Sequence, residues 1–146
     1  MDKINSVGKH SPRSGSVQAD ITNIQGSLNS GGGLLFRGDG TLNNVYVFQI
    51  VPNGNYFIGK RVGGTAYTLI PSTYSSAINT GLNAVNTLRV ACHGPIMQLY
   101  INDKLVNVVE DEAFDSGRVG LYAWDDPSVA TEVHFDDAEV FSISIP

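Results

Sequence analysis

Three neighbouring acidic residues form the densest group of candidate catalytic side chains in this sequence. Glu110, Asp111 and Glu112 lie together in the segment VVEDEAF. Cleavage of a glycosidic bond needs two carboxylates about 5–5.5 Å or about 6.5–9.5 Å apart across one sugar. Neighbouring residues of a strand point to opposite faces, so this group does not supply such a pair. The spacing predicts a solvated edge at the end of a hairpin arm rather than a catalytic site.

Nucleophilic catalysis and metal binding through histidine are also disfavoured by the residue pattern. The chain contains three histidines and one cysteine, at His10, His93, His134 and Cys92. No motif brings a nucleophile and a base together among them. Cys92 alternates with Val90 in an apolar run, which predicts a small core residue. His134 and Asp136 share a strand face, but no third metal ligand is evident, so a surface pair is expected.

Length, composition and charge narrow the class of protein further. The chain has 146 residues, of which 42% are hydrophobic and 16% charged, which predicts one folded domain. Nine basic residues against fourteen acidic ones give a net charge of −5, with no basic cluster to neutralise phosphates. No window approaches the roughly 18 apolar residues of a membrane span. We therefore expect neither nucleic acid nor a membrane as a partner.

Short apolar runs separated by turn residues predict an all-β domain with no convincing helix. Residues 1–15 lack an apolar period and are expected to form a flexible N-terminal arm, with the folded domain at residues 16–146. Apolar side chains occur on both faces of the segment VYVF, which begins at Val45 and predicts a central strand covered on two sides. The predicted strands are 16–22, 33–37, 44–51, 56–62, 67–70, 86–93, 95–101, 104–110, 118–124 and 132–145.

The order of several motifs resembles one known superfamily. The segments are GGLLFR at 32–37, VYVFQIVPNGNYFIGKRVGG at 45–64, NTLRVACHGPIMQLYINDKLVNVVEDEAFDSGRVGLYAW at 86–124 and VHFDDAEVF at 133–141. Together they resemble the concanavalin A-like lectin/glucanase superfamily, and within it the laminin-G-like branch. That branch includes fructan-binding modules and noncatalytic-looking relatives of keto-disaccharide hydrolases. The resemblance implies a jelly-roll sandwich of two antiparallel sheets, with ligands on the concave sheet or its rim. The Glu-x-Asp-x-x-Glu motif of the superfamily's glucanases is absent.

The resemblance also implies a set of sugar-binding residues. Trp124 would offer a flat apolar face at the ligand rim, and Arg37 matches a polar position on the concave face. An alternative is that Trp124 caps the sandwich while Arg37 pairs with an acid. Asp125 and Asp126 precede Pro127, and acidic residues in this position equally well form ordinary turns. The predicted ligand-binding residues are Arg37, Gln49, Tyr100, Tyr122, Trp124, Asp125 and Asp126.

A structural calcium ion is a second implication of the resemblance, because many relatives carry one near the first and last strands. Phe-Asp-Asp at 135–137 matches the last-strand motif in which an acid reaches that ion. Asp137 is the leading ligand, followed by Asp136 and Asp20. The alternative is that Asp137 accepts hydrogen bonds from backbone amides and needs no metal.

These observations favour a noncatalytic carbohydrate-binding module of a secreted or cell-surface protein. The competing interpretation is a self-assembling extracellular structural or filament subunit. In that interpretation residues 1–15 add a strand to the open sheet edge of a neighbour. In the first interpretation the partner is a glycan, and in the second it is another copy of the chain.

Chelation tests the predicted calcium site. If Asp137 holds calcium, a chelator should lower the melting temperature, because an ion that binds only the native state stabilises it. Asp137→Asn should abolish this sensitivity, as measured by thermal unfolding with and without chelator. Identical melting curves would leave Asp137 without a metal.

Overall fold

The computed structural model consists of two antiparallel β-sheets. It describes residues 3–11, 13–28, 30–123 and 132–142, with side chains described in these ranges except at 3–11, 137, 138, 141 and 142. The described residues contain no helix. The strands are β1 (Lys3–Ser11), β2 (Ser14–Gln25), β3 (Gly32–Gly38), β4 (Val45–Ile50), β5 (Asn55–Val62), β6 (Thr65–Tyr74), β7 (Val85–His93), β8 (Ile96–Ile101), β9 (Lys104–Glu110), β10 (Gly117–Ala123) and β11 (Glu132–Ser142).

The two sheets form a sandwich with the core between them. One sheet has six strands in the order β1-β10-β3-β4-β5-β6, and the other has five in the order β11-β2-β7-β8-β9. The fold thus confirms the predicted two-sheet antiparallel sandwich. The described part of the chain has no helix long and apolar enough to cross a membrane.

Strand alternation explains how the five-stranded sheet contributes to the core. Along β2, buried and partly exposed residues alternate, and Val17, Ala19 and Ile21 are almost completely buried. The same period occurs in β7, where Leu88 and Cys92 are 0% and 1% exposed. Residues two apart share a face of the strand, so one face of this sheet fills the core and the other faces solvent.

The six-stranded sheet is covered on both faces at its centre, as the sequence of β4 predicted. Tyr46 and Phe48 belong to the main core, whereas Val45 belongs to a second buried cluster with Leu35 and Tyr122. Leu42, in the loop between β3 and β4, packs against this second cluster. The outer face of the sheet therefore carries its own small apolar layer.

The N-terminal segment differs from the predicted arm. Residues 3–11 form β1, an edge strand that pairs with β10, and Ser14 and Gly15 already belong to β2. The backbone of this polar segment finds hydrogen-bond partners along β10, although its side chains show no apolar period. Because the segment pairs within its own chain, the structure lends no support to its adding a strand to a neighbour.

A partly buried ionic cluster links the two sheets at one end of the sandwich. The Asp111 carboxylate, which follows β9, accepts hydrogen bonds from Lys60 Nζ at 2.8 Å and from the Tyr46 hydroxyl at 2.6 Å. Burial raises the pKa of the Asp111 carboxyl, but these hydrogen bonds outweigh burial and hold the pKa below its ordinary value. Burial and the bond to Asp111 raise the pKa of Tyr46. The expected solvated edge is therefore wrong for Asp111.

The Asp111 cluster predicts a specific loss of stability in acid. A carboxyl whose pKa is lower in the folded than in the unfolded state stabilises the protein above the unfolded value of about 3.9. This contribution disappears as the pH falls through the folded value. Asp111→Asn should lower the free energy of unfolding at neutral pH by about 2 kcal/mol, because hydrogen bonds to a charged group are lost.

Urea unfolding from pH 7 down to about pH 2 would measure this effect. The difference between the parent and Asp111→Asn should shrink below about pH 4. A difference that stays constant over the whole range would contradict the assigned role of the carboxylate.

Candidate functional site

A row of four residues crosses the outer face of the six-stranded sheet. Tyr122 in β10 lies opposite Gly33 in β3, Gly33 lies opposite Gln49 in β4, and Gln49 lies opposite Phe57 in β5. Directly opposed residues share a face, and adjacent strands lie about 4.8 Å apart. Since Gly33 has no side chain, the row presents one phenol, a gap, one planar amide and one phenyl ring.

A depression lies over the part of this row nearest β5. It has a volume of about 140 Å³. Its lining combines aromatic rings, one amide and two basic residues, with no acidic residue. The lining residues are Leu42, Val47, Gln49, Phe57, Gly59, Lys60, Arg61, Ala66, Tyr67 and Tyr122. Such a mixture of apolar surface and few polar groups is typical of small-ligand sites.

Phe57 owes its position to the glycine two residues further along β5. A Cβ atom at Gly59 would lie 2.7 Å from Phe57 Cζ and 2.8 Å from Cε1. The ring therefore occupies the space that a side chain at position 59 would fill. With one side against the backbone, the partly buried Phe57 ring borders the depression and gives it a flat apolar surface.

One wall of the depression comes from the loop between β3 and β4, which is held by local hydrogen bonds. The Asp39 carboxylate accepts bonds from the Thr41 amide at 2.9 Å, the Thr41 hydroxyl at 2.6 Å and Asn44 Nδ2 at 3.0 Å. These bonds hold the pKa of Asp39 below its ordinary value. Asn44 Oδ1 in turn accepts a bond from the Gly63 amide at 2.9 Å. The loop carrying Leu42 is thus tied to the hairpin between β5 and β6.

Gln49 and Tyr122 are the two predicted ligand-binding residues that line the depression. Gln49 is partly exposed in the middle of the row. Tyr122 is 5% exposed and packs with Leu35 and Val45. Its contribution to the surface is therefore limited to the part of the side chain that borders the depression.

Arg37 does not lie on this face, contrary to the prediction. It is 1% exposed, and its guanidinium donates to the Phe114 carbonyl at 3.1 Å and the Arg13 carbonyl at 2.9 Å. The cause is an irregularity in the pairing of β3 with β10, where Arg118 lies opposite Gly38 but Gly120 opposite Leu35. Arg37 has a φ of 53° within it. Such a bulge reverses the expected alternation and turns the side chain inward.

Tyr100 lies on the other sheet. It belongs to β8, where Met97, Leu99 and Ile101 fill the core, so its ring lies on the outer face of the five-stranded sheet. The Arg89 guanidinium stacks on this ring at 4.0 Å from its centroid. Tyr100 and Gln49 therefore lie on different sheets, and the prediction that both contact one ligand is wrong.

Three predicted ligand-binding residues have no described position. Trp124, Asp125 and Asp126 lie outside the described residues.

The three predicted calcium ligands lie on β2 and β11. Asp20 lies opposite Asp136 in the pairing of β2 with β11, and Asp20 Oδ1 accepts a bond from the Thr87 hydroxyl at 2.5 Å. The side chain of Asp137 lies outside the described part. Within that part, no group of three or more histidine, cysteine or acidic residues could hold a metal ion. The calcium site stays a prediction.

Sequence reasoning missed Phe57 and Arg61, although a signal for Phe57 was present. The hairpin around Asn53 and Gly54 sets Ile50 opposite Tyr56, which places Gln49 opposite Phe57. Once Gln49 is assigned to the ligand face, Phe57 follows by register.

Comparisons with known proteins agree with this architecture. No model of a known protein family matches the sequence. The chain is 28% identical over 116 residues to the levanase of Bacillus subtilis (strain 168), an alignment that covers 80% of this chain and 17% of the levanase. The chain therefore spans less than a fifth of that relative.

Two solved structures show the fold. The carbohydrate binding module CBM66 from Bacillus subtilis superposes with a TM-score of 0.82 at 23% identity, covering 97% of this chain and 82% of the module. Sheep galectin-11 in complex with glycerol has a TM-score of 0.61 at 11% identity, with 96% of each chain covered. The chain thus has the concanavalin A-like jelly-roll fold that its motifs predicted.

The placement of Arg37 predicts a structural role for this residue. Arg37→Ala should lower the free energy of unfolding by about 3 kcal/mol, because it removes two charge-assisted hydrogen bonds and leaves a space in the interior. Urea unfolding measures this change. Arg89→Ala, at an arginine on the outer face of the other sheet, is the control and should cost less than half as much. Equal costs for the two variants would contradict the assignment.

Proposed function

We propose that this chain is a noncatalytic carbohydrate-binding module that binds glycan at the depression on the outer face of the six-stranded sheet. The observation that carries the proposal is the row formed by Gln49 and Phe57, beside Tyr122, over a floor that includes Gly59. The similarity to a carbohydrate binding module and to part of a levanase supports the same class.

Each part of the depression matches one requirement of sugar binding. The Phe57 ring offers a flat apolar surface to the C–H face of a sugar. The Gln49 amide both donates and accepts hydrogen bonds, as pairs of hydroxyls require. The Arg61 guanidinium adds charge-assisted donors at the far side. None of these groups is a nucleophile or a carboxylate, and the lining of the depression has no acid that could protonate a glycosidic oxygen. Binding without cleavage follows.

The levanase match makes a fructan the first glycan to examine. The proposed setting is extracellular or at the cell surface, where polysaccharides are met. A calcium ion bound by Asp137 would act in stability, since β11 belongs to the other sheet.

Substitution of Phe57 tests the site. Phe57→Ala should reduce affinity for levan by about 2 kcal/mol, as expected for a buried aromatic anchor, because the stacking surface is removed. Isothermal titration calorimetry and affinity electrophoresis in levan measure the loss, with inulin and β-galactosides as alternative ligands.

Tyr100→Ala is the matched control, since it removes a ring from the outer face of the opposite sheet. It should bind glycan as the parent does. Loss of binding in Tyr100→Ala with retention in Phe57→Ala would move the site to the five-stranded sheet. A parent protein that binds none of the glycans would refute the proposed function.

A further inference from the structure

We infer that Tyr74 forms a second sugar subsite, so that the module binds an oligosaccharide extending from Phe57 across the edge of the sheet. This inference rests on the proposed function, because it assigns the first subsite to Phe57. It adds that the ligand is a chain of linked sugars rather than a single one.

The exposure of Tyr74 first points to this role. Tyr74 ends β6 and is 67% exposed, the highest value among the exposed large hydrophobic residues of the described chain. Tyrosine is enriched among the residues that anchor partners at binding sites. Tyr100 on the other sheet is covered by Arg89, whereas Tyr74 leaves most of its surface to solvent.

The register of the strands places Tyr74 on the same face as Phe57. Tyr74 lies directly opposite Asn55, and Asn55 precedes Phe57 by two residues on β5. Both relations keep side chains on one face of the sheet. Two residues along a strand and one strand across correspond to a separation of about 8 Å. This distance exceeds a single sugar ring and suits two linked rings.

Tyr74 also rests on a glycine, as Phe57 does. A Cβ atom at Gly54 would lie 3.0 Å from Tyr74 Cε2 and 3.2 Å from Cδ2. Gly54 has a φ of 101°, which side chains rarely adopt, so the position under the ring is kept bare by the turn itself. Both rings therefore pack beside a glycine that has no side chain to displace them.

The backbone around Tyr74 is fixed by hydrogen bonds between two loops. The Ser75 amide donates to the Gly54 carbonyl at 3.0 Å, and the Gly81 amide donates to the Pro52 carbonyl at 2.8 Å. The segment after β6 is thereby tied to the hairpin between β4 and β5. A ring held on an ordered base loses little entropy when a ligand binds. Asn55, between the two rings, supplies an amide for the hydroxyls of the bridging sugars.

The dependence of affinity on ligand length tests the subsite. Fructose and a long levan oligosaccharide would be titrated calorimetrically into the parent, Tyr74→Ala, Tyr74→Phe and Phe57→Ala. Tyr74→Ala should weaken binding of the oligosaccharide about tenfold and leave binding of fructose nearly unchanged, because a single sugar fills only the Phe57 subsite. Tyr74→Phe keeps the ring and should restore most of the oligosaccharide affinity. Phe57→Ala should weaken both ligands.

Leu105→Ala is the control for loss of an exposed apolar side chain, since Leu105 is 52% exposed on β9 of the other sheet. It should match the parent with both ligands, and melting curves would verify that all variants are folded. An equal effect of Tyr74→Ala on both lengths, or none on either, overturns the second subsite while a loss in Phe57→Ala upholds the first. Full binding by Phe57→Ala, or no binding by the parent, overturns both.

Discussion

The register of three central strands is the constraint on which the rest of the structure depends. Leu34 lies opposite Phe48, and Phe48 lies opposite Ile58, and all three side chains are completely buried between the sheets. A slip of one residue would turn every one of these side chains to the outer face. The interior therefore fixes the outer face as well, and the row containing Gln49 and Phe57 is a consequence of core packing. The proposed binding face is thus specified by the same register as the core.

Alternation along the chain was sufficient to predict the sandwich and part of its outer face. Gln49 and Tyr122 were included because each was expected to lie on the face of its strand that carries the ligand. Tyr100 was placed wrongly because period two gives the face of a strand but not the sheet to which the strand belongs. That assignment depends on pairings between distant segments, such as β2 with β7. Arg37 was placed wrongly because a bulge is a property of two paired strands, and the segment of Arg37 alone does not reveal it.

Charged groups in the interior of this domain hold the fold rather than a ligand. Arg37 binds carbonyls near the start of β2 and after β9, and Asp111 connects Lys60 and Tyr46 across the two sheets. A buried charge is tolerated only with partners of this kind, since desolvation is otherwise too costly. In a sandwich with few charged residues, an isolated arginine or carboxylate near the end of a strand is thus a candidate for joining the two sheets at that end. The alternative given for Arg37 was also structural, but it named an acid as the partner, whereas the guanidinium binds backbone carbonyls.

The contacts between rings and glycines join stability to function in the proposed site. Glycine within a strand costs stability because it gains more freedom on unfolding and offers no side chain to pack. A neighbouring aromatic ring laid over the glycine offsets this cost by covering the bare backbone. At Gly59 the covering ring is Phe57. The contact that offsets the cost of Gly59 therefore also restricts the Phe57 ring. A rigid flat surface favours stacking on a sugar, because little freedom is lost on binding. In the proposed site, the stability of β5 and the shape of the binding surface thus depend on the same pair of residues.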